Sequence, residues 1–144
     1  MSYIRIWVHC VWGTKRREAC FNKQEAKIVA SHIRENAEKK NIYIDFINVQ
    51  KDHVHCLMSL NAGHSIDKDI QLLKGESSFW INKNNIIRGK FSWAEEYFAI
   101  SVSESVVNSV REYIKNQEEH HRIKTWKEEY DEFLKDYDFT KIVG

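Results

Sequence analysis

With 144 residues, 42% of them hydrophobic and 30% charged, the chain has the make-up of one globular unit able to bury a core, not of a disordered segment. A formal charge of +1 argues against nucleic-acid binding by bulk electrostatics alone. The apolar runs are too short to span a bilayer and the first residues lack a signal peptide's apolar block, so a cytoplasmic location with no membrane partner is expected.

The charge is unevenly spread: net +4 over residues 1–60 and net −3 over residues 101–144, so a basic front half could face phosphates. The three cysteines, Cys10, Cys20 and Cys56, have no Cys-x-x-Cys spacing and suggest neither a disulfide framework nor a thiolate zinc site. Proline is absent and no linker, repeat or low-complexity stretch interrupts the chain, so residues 1–144 read as a single domain.

In residues 3–12, Ile4, Ile6, Val8 and Cys10 alternate with Tyr3, Arg5, Trp7 and His9, which predicts a strand. A basic turn, Gly13-Thr14-Lys15-Arg16-Arg17, follows. Asn22 can cap a helix running to about Lys40, with Ile28, Val29, His32 and Ile33 on its buried side. Asn41 makes the exit turn, and residues 42–49 and 53–60 resume period-two alternation around a short turn, which predicts a hairpin. Ser65 caps a second helix whose stripe is Ile66, Ile70, Leu73, Ser77 and Trp80 or Ile81. Gly75 sits inside it, where glycine weakens a helix unless close packing or a ligand needs the space.

A strand over residues 97–102 leads to Ser103, which caps a third helix carrying Val106, Val107, Val110, Ile114 and Gln117 on one stripe. Thr125 opens a last short helix from Trp126 to about Tyr137. The order β-α-β-β-α-β followed by helices predicts an α+β, ferredoxin-like (RRM-like) antiparallel sheet. Two crossover helices cover one face, the other is left open for a site, and a C-terminal helix carries Tyr113.

His53 and His55 flank one apolar residue and point to the same face of their strand, where both imidazoles can converge on an ion. Taken alone, the pair reads better as two exposed polar residues on a half-solvated sheet, since one His-x-His leaves a metal's coordination unfinished. Tyr113 and Gln117, four apart on a helix, share a face, and the glutamine carbonyl can complete a His, His, Gln set. A metal-holding strand facing a helix-borne tyrosine suggests cutting and rejoining a nucleic-acid strand through a phosphotyrosine. His120 and His121 read as solvated or helix C-terminal charges. Lys15, Arg16, Arg17, Lys74 and Lys83 are candidate phosphate contacts, and Trp12 is a candidate for stacking on unpaired bases.

The chain resembles the single-tyrosine HUH transposases (TnpA) of small insertion sequences. The resemblance rests on Val11-Trp12-Gly13-Thr14-Lys15, Asp52-His53-Val54-His55, Leu73-Lys74-Gly75-Glu76-Ser77-Ser78, residues 97–103 and Tyr113-Ile114-Lys115-Asn116-Gln117, in the family's order over nearly the whole chain. One departure is Gly13, where serine is more often expected. The resemblance implies that His53, His55 and Gln117 hold a divalent ion, magnesium or manganese, and that Tyr113 attacks to leave a 5′-phosphotyrosine and a free 3′-hydroxyl. It implies hairpin-bearing single-stranded DNA as substrate and a homodimer in which tyrosine and histidines commonly come from different subunits. Open alternatives are a host-adopted or replication-type HUH endonuclease, a metal-dependent hydrolase using water, and a non-catalytic ferredoxin-like nucleic-acid-binding module.

Overall fold

The alternating segments pair into one four-stranded antiparallel sheet in a computed structural model that describes residues 2–137. Its strands are β1 (Trp7–Gly13), β2 (Tyr43–Val49), β3 (His53–Ser59) and β4 (Phe98–Val102), in the order β2-β3-β1-β4. Helices α1 (Lys23–Lys39) and α2 (Ile66–Lys83) are the crossovers, which makes the expected ferredoxin-like α+β arrangement the observed one. Val8, Cys10, Trp12, Val54, Cys56 and Met58 turn to the face that these helices cover and form the main core with Val29, Ile33, Ile70, Leu73 and Ile81.

Local chemistry sets the helix starts. Asn22 and Glu25 form a reciprocal capping box at α1, and the Ser65 side chain accepts from the Lys68 amide at α2. Asn41 leaves α1 with φ 58°, a left-handed turn that asparagine tolerates.

Several expectations differ from the structure. The first strand begins at Trp7, not Tyr3: both neighbouring ladders end at Trp7, beyond which the Ile6 carbonyl still accepts from the Leu60 amide at 2.9 Å, and Tyr3 is exposed. The buried stripe of α1 is Ala26, Val29, Ile33 and Ala37, leaving Ile28 outside, because at about 100° per residue it lies off that stripe. The third helix is not capped by Ser103 and is not continuous. A 3-10 turn, Glu104–Val106, precedes α3 (Val107–Lys115), and the chain breaks at Asn116 before α4 (Gln117–Ile123).

The second sheet face is not open. It carries Trp7, His9, Val11, His53, His55, Leu57 and Phe98, and is roofed by α3, α4 and α5 (Trp126–Asp136). Val107 and Ile114 of α3 pack on Trp7 and Leu57, while Trp126 and Phe133 of α5 pack on Val11 and Phe98. Thr125 and Glu128 form the capping box that starts α5.

Candidate metal and tyrosine site

Alternation along β3 puts both His53 and His55 beneath this roof, where they are 1% and 0% exposed. They are therefore not a solvated surface pair. Each ring has an outer partner on Nδ1. His53 Nδ1 lies 2.8 Å from an Asp52 carboxylate oxygen, so it carries the proton and leaves Nε2 free. His55 Nδ1 lies 2.9 Å from His9 Nε2. Burial lowers His9 to about 4, so this ring is neutral and can accept from His55.

Two polar ties hold α3 over β2. Arg111 Nε and Nη2 donate to the two carboxylate oxygens of Asp45 at 2.7 and 2.9 Å, and Asn48 Nδ2 donates to the Ile114 carbonyl at 2.9 Å. They set Tyr113 edge-on to His55, ring centroids 5.5 Å apart. Although the helix breaks between them, Tyr113 and Gln117 stay together. Gln117 Nε2 donates to the Tyr113 carbonyl at 3.1 Å, which turns its Oε1 toward His53 Nε2 at 3.4 Å. One chain thus brings Tyr113, His53, His55 and Gln117 into one buried site.

Two residues that the sequence reading did not place in the site complete it. His121, expected as a solvated or helix C-terminal charge, does stand in the last turn of α4, one turn beyond Gln117, but it points inward with its Nε2 2.8 Å from Gln117 Oε1. Glu129 of α5 is 2% exposed. Its Oε1 lies 2.8 Å from His55 Nε2 and accepts from the Tyr113 hydroxyl at 3.0 Å, and its Oε2 lies 2.8 Å from His121 Nε2. The spacing of Gln117 and His121 was readable by the helix rule applied to Tyr113. Glu129 also left a trace, as a carboxylate between Trp126 and Phe133 in a buried stripe.

The charges follow from these contacts. Burial lowers His55 to about 3 and so keeps it neutral. Burial opposes ionisation of Glu129, but the contact to His121 outweighs it and holds the carboxyl well below the usual range. Burial likewise works against a charged His121, and the Glu129 carboxylate more than compensates, raising it. Burial and then the Glu129 charge push the Tyr113 hydroxyl well above an ordinary tyrosine.

The chemistry of this donor set fits a metal ion. Ligand atoms of His53, His55, His121 and Glu129 all lie within 4.8 Å of one another. Two ligands on one ion stand at most about 4.2 Å apart at bonds of about 2.1 Å, so a shift of under an ångström closes the set. Among the described residues, His55 Nε2 and Glu129 Oε2 are buried without a hydrogen-bond partner at proper angles, despite their close neighbours.

The remaining candidates are dispersed. Register opposes Gly13 to His53, so the basic turn Lys15–Arg17 emerges at the histidine end of the sheet, exposed, with Arg17 over the Tyr130 ring at 4.5 Å. Trp12 is not available for base stacking: it is 1% exposed, set edge-on to Trp93 in the core. Lys74 is also not a surface contact, since its ammonium is drawn inward to donate to the Glu95 carbonyl at 2.9 Å.

A ferredoxin-like sheet whose buried imidazole pair meets a helix-borne tyrosine defines a narrow class of proteins. Residues 2–117 match the family model for IS200-like transposases, and the chain belongs to that family. The transposase of insertion sequence IS200 from Salmonella typhimurium is 26% identical over 114 residues, covering 76% of this chain and 74% of the relative. The ISDra2 transposase TnpA of Deinococcus radiodurans is 25% identical over 114 residues, covering 76% and 81%. The fold is shared with a solved candidate transposase from Deinococcus radiodurans R1 (TM-score 0.63, 24% identity, 81% of this chain and 93% of that one). It is also shared with a REP-associated tyrosine transposase solved bound to a REP hairpin (TM-score 0.63, 14% identity, 84% and 72%). No helix among the described residues is long and apolar enough to cross a membrane.

Proposed function

We propose that this transposase cuts and rejoins hairpin-bearing single-stranded DNA through a 5′-phosphotyrosine on Tyr113, with His53, His55 and Gln117 holding a divalent ion. The observation that carries the reading is the meeting of the Tyr113 phenol with the imidazole pair of its own chain, across Glu129. Tyr113 Oη would attack the scissile phosphorus in line. The bond to the 3′-oxygen breaks as the tyrosyl bond forms, and the 3′-oxygen leaves with a proton as a free hydroxyl. The Tyr113 hydroxyl already donates to Glu129, so its proton has an acceptor in place. When bound, the divalent ion supplies positive charge that offsets burial of the phenolate and of the phosphate. The linkage keeps the phosphodiester's energy, so another 3′-hydroxyl can reverse the step without a nucleotide cofactor.

Lys15, Arg16 and Arg17 are the side chains best placed to position the DNA backbone, because their turn adjoins the His53 end of the sheet. The hairpin-bound state of the REP-associated structure supports a hairpin as the recognised form. The protein would act as a homodimer, and the place of Tyr113 beside the histidines of its own chain supports a site assembled within each chain.

The test is incubation with hairpin-bearing single-stranded DNA and a divalent metal, read on a denaturing gel. Wild type forms a covalent adduct, and Tyr113→Phe forms none while keeping its fold. A mixture of Tyr113→Phe with His53→Ala stays inactive if each site is built within one chain. Adduct in Tyr113→Phe alone overturns the nucleophile, and activity restored by mixing overturns assembly within one chain. An RNA- or DNA-binding module would bind without adduct in any variant.

A further inference from the structure

Resting on the metal reading above, we infer that the C-terminal arm, residues 118–136, is part of the metal centre: Glu129 and His121 are ligands that the arm brings to His53 and His55. Added to His53, His55 and Gln117, they would make a nitrogen-rich set of three imidazoles, one carboxylate and the Gln117 carbonyl oxygen, not an oxygen cage. Both added residues lie beyond residue 117, where the match to the family model ends.

Three independent observations support the inference. First, the four ligand atoms cluster within 4.8 Å, and His55 Nε2 and Glu129 Oε2 are left without properly angled partners although each has a polar neighbour at 2.8 Å. Lone pairs turned toward a common point, instead of toward each other, produce that pattern. Second, the outer partners are already set: Asp52 holds His53 Nδ1 and His9 holds His55 Nδ1, so both rings present Nε2. Third, the arm is seated by its own packing, with the Trp126 ring parallel to His53 within 3° at 4.4 Å and its indole nitrogen against Gly13. A side chain at residue 13 would meet that nitrogen at 2.8 Å, so the glycine that stands where serine is more often expected is what lets the arm close.

The donor chemistry selects the ion. Three imidazole nitrogens and one carboxylate suit manganese, cobalt or zinc, whereas magnesium holds to oxygen ligands and retains its waters. The arm therefore biases the site toward a transition-series divalent ion.

The experiment titrates the full chain with Mn2+, following free Mn2+ by electron paramagnetic resonance, and measures hydrogen exchange of α5 with and without the metal. Wild type binds one Mn2+, a hundredfold excess of Mg2+ does not displace it, and binding slows exchange in α5. Glu129→Gln and His121→Asn each weaken Mn2+ at least tenfold, and Glu129→Gln abolishes the metal-dependent protection of α5. If both variants bind Mn2+ as wild type does while His53→Ala does not, the arm is not a ligand source and only this inference falls. Equal competition by Mg2+ also overturns it. If the wild type binds neither Mn2+ nor Mg2+, the metal reading of the function falls as well. Circular dichroism without metal shows whether each variant is folded, and Glu129→Asp, which keeps the carboxylate, retains binding better than Glu129→Gln.

Discussion

Gly13 offers the sharpest physical test of how the arm is held. A Cβ there stands 2.8 Å from Trp126 Nε1 and 3.3 Å from its Cε2 and Cζ2, so Gly13→Ala must push the indole about 0.6 Å to reach ordinary contact. The ring cannot simply retreat, because His53 is stacked on it and Tyr130 stands edge-on. Overpacking of this kind costs about 1–3 kcal/mol. Releasing α5 instead would expose Trp126 and Phe133, at about 1.5–3 kcal/mol for each aromatic. Strain is the cheaper response, so α5 stays docked but opens more often. At about 1.4 kcal/mol per tenfold, amide exchange in α5 should speed up by roughly 5- to 100-fold. Hydrogen exchange resolved along the chain measures this directly, with α1 as the internal control. The double variant Gly13→Ala with Trp126→Leu should recover part of the loss, since the clash is removed with the ring. Unchanged exchange in α5 of Gly13→Ala would refute the reasoning.

Acid should destabilise the metal-free protein before its ordinary carboxylates titrate. His9 and His55 fall from about 6.5 in the unfolded chain to about 4 and about 3 when folded, so below pH ~6.5 the unfolded state takes up protons that the folded state refuses. Their stabilisation is complete above pH ~6.5 and drains as pH falls toward 4. His121, raised by Glu129, is protonated in both states below pH ~6.5 and does not oppose them there, so the loss approaches roughly 2.7 kcal/mol per pH unit from the two buried histidines. Urea denaturation at pH 6.5, 5.5 and 4.5 checks the slope, and a flat profile contradicts it. Gly75→Ala should stabilise the protein by about 1 kcal/mol, read from the urea midpoint, because nothing lies within 4 Å of the added methyl in α2. DNA cleavage should be unchanged, and its loss in a stabilised variant would mean that DNA approaches the helix backbone there.

The features legible in the sequence were those that residues within one element decide. Alternation put His53 and His55 on one face, Asn22, Ser65 and Thr125 announced their helices, and the order of elements defined the sheet. The features that were not legible depend on contacts across the chain. Nothing near residue 3 says that both ladders stop at Trp7, and nothing near Trp12 or Lys74 says that the loop after α2 will draw them inward. The roof over the histidines is the largest such effect, since Gln117 meets His53 across 64 residues and Glu129 meets Tyr113 across a helix break.

That roof changes how the site must be understood. On an open sheet the two imidazoles would be ordinary solvated bases, and a carboxylate nearby would add little. Buried, the same groups are costly unless each is paired, and a carboxylate placed in an apolar stripe with no partner would cost several kcal/mol. Glu129 is nevertheless kept ionised there, between a neutral histidine, a charged one and the phenol of Tyr113. A stripe that needed only to close the sheet would carry leucine at that position. The carboxylate is intelligible if the arm serves the histidines and the tyrosine as well as covering them, which ties the chemistry of this chain to residues beyond the stretch that the family model matches.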